Sequence, residues 1–269
     1  MYFTIISGAL HPLGKMVMHQ YASREKIRCC RLVDEGFFLE DSHGYINGYG
    51  DCSSNLQRSF AGCNPDAIVD FSGSDKVLEN AKLCKNRGMP LIVLDPEWNA
   101  QKTRALEAEM GYETGQNMRR PIVVLSDFSV EQALMFNSAL KLVKPLDYQA
   151  LRIEITACLF EGFNHLSTLL GLAKKLEKII SGRVEEEKET APNQWSVGQV
   201  KVKLLSAAES KPMTAVRIQT MEMDFQQKVE LKNIEALWAG VESAIKWISN
   251  RDLEPKLYVS SMAEILQLL

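Results

Sequence analysis

Histidine is scarce in this chain, with four residues in 269, and the six cysteines, Cys29, Cys30, Cys52, Cys63, Cys84 and Cys158, include no C-x-x-C pair. No His, Cys, Asp and Glu set stands at metal-ligand spacing, so neither a metal site nor a redox dithiol is expected. The cysteines fall mostly in apolar stretches and read as reduced, buried thiols. A surplus of one charge is also missing. The net charge is −3 with both signs scattered, so no basic face marks the chain for nucleic acid or an anionic membrane. No apolar run approaches the roughly 20 residues of a membrane span. The opening MYFTIISGAL lacks a charged n-region and enters a strand at once, so we expect no signal peptide and a cytoplasmic location. What is present is ordinary: 46% apolar and 24% charged residues, in a length that allows two domains with cores of their own.

The stretch FTIISGALHPLGKMV, residues 3–17, carries the most information. Residues 3–6 read as a buried strand and residues 14–21 as a helix, leaving 7–13 as a strand-to-helix turn. A dinucleotide's pyrophosphate sits on such a turn, where backbone N–H groups and the helix dipole meet its oxygens. One glycine spacing of that turn uses positions one, four and seven. Gly8 and Gly14 keep the outer pair, with Leu13 beside them, but His11 holds the middle and Pro12 follows. An imidazole there crowds the phosphate and Pro12 removes an N–H donor, so an α/β turn that binds nothing is a second reading. His11 could contact an anion when protonated; capping or packing is the plainer role.

Residues 26–33 form a second strand ending at Asp34. An acid at that position accepts from an adenosine ribose and repels a 2′-phosphate, favouring NAD over NADP; an Asp before Gly36 is equally plain turn chemistry. Residues 41–62, rich in glycine, read as loops. A strand at 67–71, a helix at 74–86 capped by Gly88, a strand at 90–94, a helix at 100–110 and a strand at 121–125 complete a βαβ rhythm. The character then changes. A helix at 130–143, a strand at 151–159, a helix at 166–180, a solvated loop at 183–193 containing EEEKE, strands at 198–205, 213–221 and 224–231, a helix at 233–248 and a closing helix at 256–269 follow. The expected fold is α/β: a Rossmann-like parallel sheet domain over 1–129 and 234–269, plus a smaller α+β domain over 130–233 with an open mixed sheet. Glu161 and His165, spaced i, i+4, are the candidate catalytic pair if helix begins that early; a structural histidine is the plainer reading. His19 and His43 stand alone. Cys158 has apolar neighbours and reads as an inert thiol.

Taken together, ISGALHPLGKM, AIVDFSGSDKVLENAKLCKNRGMPLIV, VVLSDFSVEQALMF and LYVSSMAEILQL resemble, in order and spacing, segments of the dihydrodipicolinate reductases, nicotinamide-dependent enzymes of lysine biosynthesis. The resemblance covers nearly the whole chain. It implies NAD or NADP as cofactor, a cofactor site including Gly8, His11, Leu13, Gly14, Asp34, Phe71, Asp127 and Phe128, a small-molecule substrate, and a homo-oligomer, dimer or tetramer, paired through the open sheet. The chemistry-bearing motif departs from the family. The family's paired histidines and lysine have no counterpart in IEITACLFEGFNHLSTLLGLA, where Ser167 and Thr168 alone resemble its substrate-gripping Ser-Gly-Thr turn. Its G-T-T-G is Leu94, Asp95, Pro96 and Glu97 here, and two carboxylates disfavour an anionic substrate. Charge-assisted contacts contribute about 1.5 to 3 kcal/mol each, so losing several removes the usual activity at family-like rates. Two functions follow: a reductase with an altered substrate, or a non-catalytic relative kept for assembly, regulation or partner binding.

Overall fold

The structure, a computed structural model, describes residues 2–22, 27–34, 51–53, 56–60, 64–95, 98–110, 119–125, 129–144, 146, 151–158, 166–183, 185–206, 212–232, 237–249, 253–260 and 262–266. In chain order the first elements are β1 (Tyr2–Ser7), α1 (Pro12–Ala22), β2 (Ile27–Val33), β3 (Asp51–Ser53), α2 (Leu56–Ser59), β4 (Ala67–Asp70), α3 (Ser74–Arg87), β5 (Leu91–Leu94), α4 (Ala100–Met110) and β6 (Ile122–Leu125). There follow α5 (Val130–Val143), β7 (Arg152–Cys158), α6 (Leu166–Ser181), β8 (Glu187–Ala191), β9 (Gln194–Val197), β10 (Val200–Leu205), β11 (Met213–Gln219) and β12 (Asp224–Glu230). The chain closes with α7 (Trp238–Ile248), β13 (Leu257–Ser260) and α8 (Met262–Ile265). They fall into two compact units, Met1–Phe128 with Leu237–Ser261, and Ser129–Ala236 with Met262–Leu269.

The first unit is a seven-stranded sheet in the order β13-β6-β5-β4-β1-β2-β3, parallel at every pairing. Its strands are short β-branched runs because helices cover both faces: AIVD, LIVL and IVVL are buried at every residue. The order reverses direction at β1, with β2 on one side and β4 on the other. That reversal opens a crevice at the strands' C-terminal ends. Gly88 ends α3 in the left-handed region, where a Cβ would be strained.

The second unit is a six-stranded mixed sheet, β12-β11-β7-β10-β9-β8, in which only β7 and β10 run parallel. One face is apolar: Ile153, Ile155, Val200, Val202, Val216 and Ile218 form one core with Leu169, Leu172 and Leu176 of α6. The alternate positions Arg152, Glu154, Lys201, Lys203 and Arg217 are exposed, the pattern of a sheet covered on one side.

Several elements differ from the sequence expectation. Residues 187–191 are a strand rather than loop, because Pro192 and Asn193, the latter at φ 60°, turn the chain back so that Ala191 faces Gln194. The charges of EEEKE suit an edge strand, which they protect from pairing further. Residues 257–260 are a strand beside β6 rather than helix, since Tyr258 and Val259 favour pleated backbone; among the described residues of that stretch, α8 alone is helical. Within residues 41–62, β3 and α2 are ordered elements. Cys84 and Cys158 are buried and form no disulfide.

Candidate functional site

The turn after β1 is built by its two glycines. Gly8 sits at φ 70°, and a Cβ on it would stand 2.6 Å from the Phe71 carbonyl carbon and the Ser72 nitrogen. A Cβ at Gly14 would come within 2.3 Å of the Gly8 carbonyl oxygen. Both positions are therefore closed to side chains by backbone alone: Gly8 lets the end of β1 approach the end of β4, and Gly14 lets α1 pack on the turn. Leu13 and Gly14 are buried beneath the turn.

The helix α1 starts two residues earlier than expected. Pro12 occupies its first position, where a missing N–H costs nothing and φ is already helical. His11 is the N-cap. Its Nδ1 accepts a hydrogen bond from the Leu13 N–H at 3.3 Å, as an Asn or Ser oxygen does in the usual N-cap. That bond requires Nδ1 to be unprotonated, so the ring carries its proton on Nε2. Burial holds the imidazole below the ordinary histidine value, against the pull of Asp95 and Asp34 in the other direction.

Three more N–H groups of the turn also have protein partners. Ala9 donates to the Val33 carbonyl at 3.1 Å and His11 to the Gly8 carbonyl at 3.0 Å. Leu10 donates to Asp34 Oδ2 at 2.9 Å. The acid after β2 thus fastens the turn.

In front of this turn, at the ends of β1, β2 and β4, lies a cavity of about 540 Å³ whose lining includes Gly8, His11, Asp34, Phe71, Ser72 and Asn80. Its floor is a buried polar network. Asp70 accepts from the Ser72 N–H and from Asn80 Nδ2, both at 2.8 Å, and Asn80 also donates to Ser7 Oγ at 3.1 Å. A buried carboxylate holds only if its oxygens are satisfied. Nearby Cys84 is pushed well up, by burial first and by Asp70 second, so it is an inert thiol. At the end of β5, Asp95 pairs with Lys102 Nζ at 2.7 Å.

The structure brings four of the sequence candidates, Gly8, His11, Asp34 and Phe71, to one cavity. Ser167 and Thr168 lie in the first turn of α6, in the second unit. Asp127, Phe128, Glu161 and His165 lie outside the described residues. Sequence reasoning missed the Ser7, Asp70, Ser72 and Asn80 network. Its trace was a polar residue at the end of each of two buried strands, Ser7 and Asp70.

No protein-family model matches the chain, and no curated protein matches it. Solved structures do. A dipicolinate-bound dihydrodipicolinate reductase from Paenisporosarcina sp. TG-14 superposes with a TM-score of 0.72 at 14% identity, over 96% of this chain and 98% of that one. A myo-inositol dehydrogenase from Corynebacterium glutamicum gives 0.62 at 11% identity, over 99% and 94%. A scyllo-inositol dehydrogenase from Lactobacillus casei, solved with NAD(H) and scyllo-inositol, gives 0.60 at 11% identity, over 99% and 93%. The chain has the two-domain fold of these reductases and dehydrogenases.

Proposed function

We propose that the protein is a divergent dihydrodipicolinate reductase-like oxidoreductase, using NAD in preference to NADP and acting on a substrate other than the usual dicarboxylate. The observation that carries the reading is the cavity of about 540 Å³ at the reversal point of the parallel sheet, flanked by Asp34. That position is where nucleotides sit in doubly wound sheets, and the volume suits a small-molecule site. The nucleoside end of the cofactor fits the residues present: Asp34 stands where a ribose hydroxyl would donate, and its charge repels a 2′-phosphate. When bound, a nicotinamide cofactor supplies or accepts hydride. The pyrophosphate seat fits less well, because His11 already occupies the helix N-terminus.

The altered substrate follows from the sequence. Asp95 and Glu97 stand where the family keeps a Gly-Thr-Thr-Gly turn, and the paired histidines and lysine are absent. Ser167 and Thr168 are the remaining candidates for substrate contact, with Glu161 and His165 for proton transfer; Asp127 and Phe128 complete the proposed cofactor site. Assembly as a dimer or tetramer through the open face of the second sheet is part of the same proposal, and light scattering of the purified chain tests it.

Titration with NADH and NADPH, followed by nicotinamide fluorescence, tests the reading. The expected result is saturable NADH binding and weaker NADPH binding. Binding of neither at millimolar concentration overturns it and leaves a non-catalytic relative serving assembly, regulation or partner binding. That second reading has its own support, since the N–H groups of residues 9, 10, 11 and 13 all have protein partners.

A further inference from the structure

We infer that His11 is an affinity-setting residue: its imidazole holds the Leu13 N–H that would otherwise meet the phosphates of a nucleotide in the cavity, so a ligand must displace the ring to bind there. This rests on the reading above that the cavity takes a nucleotide.

Three observations join here. His11 both lines the cavity and caps α1 through Nδ1, so a group facing the ligand space is also one that occupies a donor. Pro12 supplies no N–H, and the Ala9, Leu10 and His11 N–H groups are held by Val33, Asp34 and Gly8. Of these donors, the Leu13 N–H is the one held by a side chain of the turn itself. The Ala9 and Leu10 N–H groups are held by Val33 and Asp34 at the end of β2, and the His11 N–H by the Gly8 carbonyl within the turn. The bond to Nδ1 is long, at 3.3 Å, and joins neutral partners, whereas a phosphate oxygen would form a charge-assisted and stronger one. The exchange favours the ligand but is diminished by the bond it must break and by the ring it must move.

The chemistry predicts which ligands feel the block. Adenosine has no phosphate and needs no displacement. ADP, NADH and NADPH carry a pyrophosphate and need it.

The experiment is calorimetric titration of the wild-type chain, His11→Gly and His11→Asn with adenosine, ADP and NADH. His11→Gly releases the Leu13 N–H. His11→Asn keeps a capping oxygen on it with less bulk. The expected result is about five- to tenfold tighter binding of ADP and NADH to His11→Gly, unchanged adenosine binding, and wild-type-like affinities for His11→Asn. Thermal melts check that each variant is folded, with His11→Ala standing in if His11→Gly is not. Equal ADP affinity in wild type and His11→Gly overturns the inference, as does an equal gain in His11→Asn, which would make bulk the cause. Failure of every protein to bind ADP and NADH instead overturns the nucleotide reading, and the inference with it.

Discussion

Replacing His11 has consequences for folding as well as for ligand. Its folded-state pKa lies below the ordinary histidine value of 6.5, chiefly through burial, so the folded chain binds fewer protons at this site than the unfolded chain does. The stability contributed by the neutral ring is complete above about pH 6.5 and is lost as pH falls towards the lowered value. Urea denaturation at pH 7.5, 6.5 and 5.5 should therefore show the wild type weakening more steeply than His11→Asn, whose cap does not titrate. Asp34 allows a separate test. Asp34→Asn keeps an oxygen for the Leu10 N–H but removes the charge, so the melting temperature should hardly move. The preference for NADH over NADPH should meanwhile narrow by several-fold in the fluorescence titration. The candidate site was legible in part. Gly8 and Gly14 announced the turn because backbone contact leaves no room for a Cβ, and Asp34 announced itself by following a strand. Capping was one of the plainer roles expected of His11, but its partner Leu13 was not legible, because histidine gave no reason to begin the helix at Pro12.

Helices and strands depend on similar local exchanges. In the second unit, the tight turn between β9 and β10 rests on Glu177 of α6, which is buried and accepts the Gln199 N–H at 2.9 Å. Gly198 stands at φ 55°, and a Cβ there would come within 2.3 Å of the Glu177 carboxyl carbon. Gly198→Ala combines backbone strain with that clash and should destabilise the chain by about 2 kcal/mol, read from urea unfolding. Glu177→Gln keeps an acceptor and should have a smaller effect, while Glu177→Ala leaves the Gln199 N–H unmet at about 1–3 kcal/mol. Elements with one dominant signal were readable. The apolar spacing of Leu169, Leu172, Ala173, Leu176 and Ile180 marked α6, and the β-branched runs marked β4, β5 and β6. The strand β8 was hidden because its side chains are nearly all exposed, so no burial pattern reached the sequence. Its turn residues, Pro192 and Asn193, were the better signal.

At the scale of the molecule, the order of motifs carried more than any single one. Strands alternating with helices gave the parallel sheet, and the shift to alternating exposure after residue 150 gave the mixed one. The first unit is completed by a segment from the far end of the chain: β13 pairs along β6, residue for residue from Leu257 with Ile122 to Ser260 with Leu125. A chain ending at residue 236 would lack that strand and α7, leaving β6 as an open apolar edge. Such a truncation should be recovered as aggregate by size-exclusion chromatography and show no cooperative melt. The same pairing sets a timetable for synthesis. The β6 segment leaves the ribosome ~130 residues before its partner, which at about 5–20 residues per second is roughly 7–25 s. During that interval a nascent chain carries a sticky, half-dressed border, and chaperone occupancy should peak between the two events.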